Sequence, residues 1–95
     1  MKTKDEYIES LASELKEWSA QIDLLSIKAE NATADLQIRY AGEVDVLRTK
    51  QHAATAKIKE LEEASGDAWG TLKETAIEVW DDLRTGLASA VAKFK

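Results

Sequence analysis

The chain has 95 residues, 44% hydrophobic, 33% charged and 6% aromatic, with no proline, no cysteine and one histidine. That length favours a single domain over 1–95. Without Cys there is no disulfide framework, no thiolate metal site and no cysteine nucleophile, and one His gives Ser-His-Asp chemistry little to work with. The 13 Lys and Arg against 18 Asp and Glu give a net charge of −5, a poor match for a phosphate backbone, so nucleic acid is not an expected partner.

The opening Met1 to Glu6 has no apolar run behind it and does not read as a secretory signal. The longest uncharged stretch, Thr85 to Ala92, is far too short to span a bilayer. The expectation is a soluble, cytoplasmic, all-helical protein: Ala, Glu, Lys and Leu are good helix formers and no proline interrupts them.

The first helix is predicted to start at Thr3. Thr3-Lys4-Asp5-Glu6 fits the capping box, in which the threonine hydroxyl and the glutamate three residues on satisfy free backbone N–H groups. Asp5 and Glu6 then suit the positive end of the helix dipole. Ile8, Leu11, Leu15, Trp18, Ile22, Leu25, Ala29, Ala32 and Leu36 follow at spacings of 3 and 4 in strict alternation, a heptad seam of the coiled-coil kind. The pattern resumes as Val44, Leu47, Gln51, Ala54, Ile58 and Leu61.

Between the two runs the frame slips by one residue, because Leu36 to Tyr40 to Val44 is 4 and 4. Gly42 lies inside that slip, and Asn31-Ala32-Thr33 is a second weak point, since Asn and Thr compete for backbone hydrogen bonds. Ala32 nevertheless keeps the heptad phase, and Asp35, Arg39 and Glu43 are opposite-charge neighbours at i,i+4. These features predict one continuous helix from Thr3 to about Ala64. The alternative is a break near 31–34 or 40–43, giving three helices.

Ala64-Ser65-Gly66-Asp67 reads as a turn. Gly66 suits the left-handed position after a helix, and Asp67 or Ser65 can cap the next one. The last helix, about 67–94, carries a wide apolar face of Trp69, Leu72, Ala76, Val79, Trp80, Leu83, Leu87, Ala90, Val91 and Phe94. Gly70 and Gly86 would let a neighbouring helix approach closely, and Lys93 and Lys95 suit the negative end of the dipole.

Folding back, this helix is long enough to cover only the half of the long helix nearest the turn. Hairpin packing is therefore assigned to Leu47, Ile58, Leu61, Trp69, Leu72, Trp80, Leu83 and Leu87. The seam of Ile8, Leu11, Leu15, Trp18, Ile22, Leu25 and Leu36 would lie bare, which a monomer tolerates poorly. It is assigned to self-association in an antiparallel coiled-coil homodimer. A monomeric three-helix bundle is the alternative.

The turn sequence Ala64-Ser65-Gly66-Asp67-Ala68-Trp69, with Leu72-Lys73, Val79-Trp80 and Leu83, resembles a family of short bacterial coiled-coil proteins, some of them labelled stress-response proteins. The start, Met1 to Tyr7 leading to Trp18, is similar to that family too, so the resemblance runs through essentially the whole chain. It implies a helical, non-enzymatic protein linked to stress and brings no catalytic residues. Gly70, where a polar helix former is expected, departs from it.

The other residues that could carry chemistry have plainer readings. His52 beside Gln51 reads as a solvated helix residue. The carboxylates Glu60, Glu62 and Glu63, and Asp81 with Asp82, fan around helices rather than converging on an ion. Asn31-Ala32-Thr33 matches a glycosylation acceptor by accident of spacing. Tyr7 and Tyr40 lack the basic groove that base stacking needs.

Trp18, Trp69 and Trp80 recur at helical spacing and read as core. No nucleophile–base pair, phosphate loop or metal constellation is present, so neither an enzyme nor a cofactor is expected. The predicted function is that of a structural or interaction protein acting through self-association and an unidentified protein partner. The alternative is a peripheral membrane protein using the last helix, which its Glu74, Glu78, Asp81 and Asp82 oppose.

Overall fold

A computed structural model describes residues 3–94. Met1, Lys2 and Lys95, used above at the two ends of the chain, lie outside the described residues. The chain forms three helices, α1 (Lys4–Glu30), α2 (Ala34–Glu63) and α3 (Gly66–Lys93), in an elongated bundle of 51 × 18 × 17 Å.

The alternative of three helices therefore describes the fold, and the continuous helix over 3–64 does not. The break falls at Asn31-Ala32-Thr33. Asn31 ends α1 with φ −92° and ψ 0°, and Thr33 is extended at φ −64° and ψ 159°. Local bonds stabilise the reversal: the Asn31 N–H donates to the Ile27 carbonyl (3.1 Å) and the Ala32 N–H to that of Ala29 (3.3 Å). The Gln37 side-chain amide reaches across the turn to the Glu30 carbonyl at 2.7 Å. That carbonyl is one of the helix-end groups that have no acceptor role inside the helix.

The i,i+4 charge neighbours Asp35, Arg39 and Glu43 all lie inside α2 and carry no information about residues 31–33. The one-residue slip is the offset between two independent heptads. Within α2 the clean series is Tyr40, Val44, Leu47, Gln51, Ala54, Ile58, Leu61, and its extension toward the turn lands on Gln37 rather than Leu36. Leu36 is half-buried and lies outside the core cluster. Gly42 is exposed inside an unbroken helix.

Antiparallel pairing of α1 with α2 is marked by Arg48–Asp23 (2.7 Å) and by Gln51 donating to Ser19 (2.6 Å). Antiparallel pairing of α2 with α3 is marked by Lys50–Asp82 and Lys93–Glu43 (both 3.0 Å) and by the stacked rings of Tyr40 and Phe94, 4.1 Å apart. These ion pairs are largely solvated and fix register more than stability.

The core is Leu11, Leu15, Ile22, Leu25 and Ala29 of α1, Val44, Leu47, Ala54 and Leu61 of α2, and Ala76, Trp80, Leu83, Leu87, Ala90 and Phe94. Ile8, Trp18, Ile58, Trp69 and Leu72 pack against it, partly buried. The residues assigned to hairpin packing are thus all core or core-lining. The seam residues Ile8, Leu11, Leu15, Trp18, Ile22 and Leu25 are covered by the chain's own helices, so covering them needs no second chain. The geometric reason for an extended dimer disappears once α2 folds back.

The capping box at Thr3 forms in part. The hydroxyl accepts from the Glu6 N–H (3.2 Å) and donates to the Glu6 carboxylate (3.2 Å). At the second turn, Ser65 is the residue that precedes α3, with φ −75° and ψ 167°, and Asp67 lies in the first turn of the helix. Gly66 is not left-handed: it is the first residue of α3, and no described residue has a positive φ. The extended Ala64 and Ser65 turn the chain instead, a route any residue can take. Gly86 does serve close approach, since a Cβ there would stand 3.2 Å from Lys50 Nζ and 3.5 Å from Leu47. Gly70 does not, because it faces open space.

Candidate functional site

α2 packs against both of its neighbours, whereas α1 and α3, which run parallel, meet far less. The result is a cleft along the α1–α3 seam with a cavity of about 270 Å³. Helical spacing brings Tyr7, Leu11, Glu14 and Trp18 to its α1 wall, and Ile77, Trp80, Asp81 and Arg84 to its α3 wall.

The cleft mixes apolar and charged groups. Trp80 is buried and Trp18 half-buried, while Ile77 is 51% exposed. The Trp80 indole N–H is buried without a hydrogen-bond partner among the described residues. Native interiors rarely leave such a donor unmatched, and doing so costs about 1–3 kcal/mol. Arg84 forms an ion pair with Asp81 one turn before it on the same wall.

One end of the cleft is clasped. Lys4 Nζ donates to the Ala64 carbonyl at 2.8 Å and stands 5.4 Å from the centre of the Trp69 ring. Trp69 meets Tyr7 edge to face, with centroids 5.7 Å apart, and Lys73 Nζ lies 5.0 Å over the Tyr7 ring. This alternation of cations and rings ties the start of α1 to the α2–α3 turn. Burial raises the Tyr7 pKa above its ordinary value, and the Glu14 charge adds to the rise.

A second groove, about 380 Å³, lies between α1 and α2 near the 31–33 turn, over a floor of Ala29 and Val44 with Glu30 and Asp45 at its edges. Its width follows from the small side chains of Ser26, Ala29 and Ala41. Among the described residues, no group of three or more His, Asp or Glu side chains could hold a metal ion, and no helix is long and apolar enough to cross a membrane. His52 is exposed.

Five residues of the site, Lys4, Glu14, Lys73, Ile77 and Arg84, were given no site role from the sequence. Lys73 completes a strict heptad with Trp69, Ala76 and Trp80, a signal that reading only apolar residues passes over. Ile77 is an isoleucine one position off the core face of α3, which is the sequence mark of a second apolar surface. Lys4 had no sequence signal, since its partner carbonyl lies sixty residues away.

Compared with known proteins, the chain matches no family model, no curated protein and no solved structure.

Proposed function

We propose that this chain is a non-enzymatic interaction module, a cytoplasmic helical bundle that associates with itself or with another protein through its α1–α3 cleft. The observation that carries the reading is the asymmetry of the bundle. The α1–α2 and α2–α3 seams are packed along most of their length, the former opening only near the 31–33 turn, and the third exposes Ile77 over Trp18 and Trp80. An apolar strip rimmed by charge is the usual make-up of a protein-binding surface, with Trp and Arg its most productive residues. The resemblance to short bacterial coiled-coil proteins adds a link to stress response.

The membrane-surface alternative is weaker on physical grounds. The apolar face of α3 is spent on the core, where Ala76, Leu83 and Ala90 are fully buried.

A photo-crosslinking amino acid at position 77, introduced in living cells, tests the reading. It is expected to give discrete protein adducts, with the same probe at the solvated His52 giving none. Absence of adducts at position 77 would contradict it.

A further inference from the structure

We propose that the occupant of the α1–α3 cleft is a second copy of this chain, paired about a two-fold axis parallel to the bundle, so that the α1 lip of each copy meets the α3 lip of the other. This rests on reading the cleft as an interaction surface and names what fills it.

The first argument is charge. Tyr7 lies level with Trp69, which places Glu14 level with Ala76, one turn from Lys73. The α1 lip carries Glu14 and, one turn on, Glu17. The α3 lip carries Lys73 and Arg84, with Asp81 already engaged by Arg84 and the exposed Glu74, in the same heptad column as Asp81, at its outer edge. A two-fold axis along the bundle keeps levels unchanged and exchanges sides. It therefore sets Glu14 of one copy near Lys73 of the other, twice. An antiparallel two-fold would set acidic lip against the other copy's α1 instead. The complementarity is confined to the half of the cleft nearest Tyr7, because toward the 31–33 turn the lips are Gln21 and Lys28 against Ala88 and Val91.

The second argument is apolar and polar content. Ile77 is 51% exposed and Val91 39% exposed on the same side of α3, beside the half-buried Trp18. A second copy brings the same set, converting two open seams into one four-helix layer of α1, α3 and their equivalents. The Trp80 N–H beneath that floor has no hydrogen-bond partner among the described residues.

The third argument is size. A strip as long as α1, 27 residues or about 40 Å, and about 12 Å wide, one helix diameter, gives roughly 500 Å² per copy, or about 1,000 Å² in total, the size a specific interface must reach.

Light scattering on the intact chain across a concentration series tests this, read together with helical circular dichroism. The wild type is expected to reach twice the chain mass. Ile77→Glu should return it to the chain mass with helicity kept, while Ile27→Glu, on the exposed face of α1 opposite its core positions, should leave the dimer intact. Glu14→Lys should weaken association, and Glu14→Lys combined with Lys73→Glu should restore it.

A wild type that stays at the chain mass to millimolar concentration overturns the inference. So does a dimer broken by Ile27→Glu but not by Ile77→Glu, or one that the double charge exchange fails to restore. In each of those cases, adducts to a different protein from position 77 would leave the interaction-module reading standing. Absence of any adduct would remove that reading as well.

Discussion

Helix α3 has two long seams, and they are built from different materials. Toward α2 it presents Gly86 under Leu47 and Lys50, with Asp82 and Lys93 paired to Lys50 and Glu43 at the edge. Toward α1 it presents Trp80, Ile77 and Arg84, opposite Trp18 and Glu14. Small side chains let helix axes approach, whereas indoles and charged groups hold them apart, because interaxial distance follows the side chains at the contact. The same helix thus closes one seam and leaves the other open. The lesson is that an amphipathic helix can be fully used as core on one flank and still offer a surface on the other. The position that tells them apart is a single off-face isoleucine.

The largest test of this contrast is truncation on each flank. Leu83, fully buried, should lose about 2–5 kcal/mol on change to Ala. Ile77→Ala should alter monomer stability by no more than about 0.5 kcal/mol, as for a surface position. Urea denaturation reads both. Similar costs at the two sites would mean that the α1–α3 seam is closed.

A smaller effect is expected at the clasp. Lys4→Ala removes a hydrogen bond to the Ala64 carbonyl and a cation over Trp69, and should cost about 1 kcal/mol in the same assay. Hydrogen exchange should rise at the start of α1 first. Unchanged protection there would show that the clasp does not hold α1 in place.

Smaller still are the glycines. Gly42 and Gly70 are helical and face open space, so Ala at either should stabilise by about 0.5–1 kcal/mol. At Gly86 the Lys50 side chain must move aside, so Ala should gain less than at Gly70. An equal gain at all three would mean that α2 and α3 are not in close approach.

The smallest expected effect is the titration of Tyr7. Its pKa is raised by burial and then by Glu14 from the ordinary value of 10.0. The folded state therefore favours the protonated phenol. That contribution is present below pH 10.0 and is lost as pH rises through the higher folded value. Tyr7→Phe should flatten this alkaline loss, and an unchanged slope would place its origin elsewhere.

Much of this architecture is legible in the residues. The all-helical class follows from the missing prolines and the heptads, the start at Thr3 from its capping residues, and the second turn from Ser65-Gly66-Asp67. The first turn is legible only as an alternative: Asn31-Ala32-Thr33 marks a weak point, but Ala29, Ala32 and Leu36 keep 3 and 4 spacing through it and favour continuity. Heptad spacing describes each helix face and carries no information on whether the chain reverses between two faces. Gly66 misleads for a related reason: a glycine after a helix suggests a left-handed residue, but extended Ala64 and Ser65 reverse the chain without one. The cleft is invisible in one dimension, since its walls are α1 and α3, which are joined only through the whole of α2.

The break at 31–33 is the feature on which the rest depends, and one distance tests it directly. The chain has no cysteine, so single cysteines at Glu17 and Ala53, both exposed, can carry spin labels, with excess unlabelled chain present to suppress contacts between copies. Helices folded back at an interaxial distance of about 8–10 Å predict labels about 10–25 Å apart once their own linkers are counted. A continuous helix would separate the two positions by about 54 Å, at 1.5 Å for each of the residues between them, and that result would contradict the bundle and the cleft together.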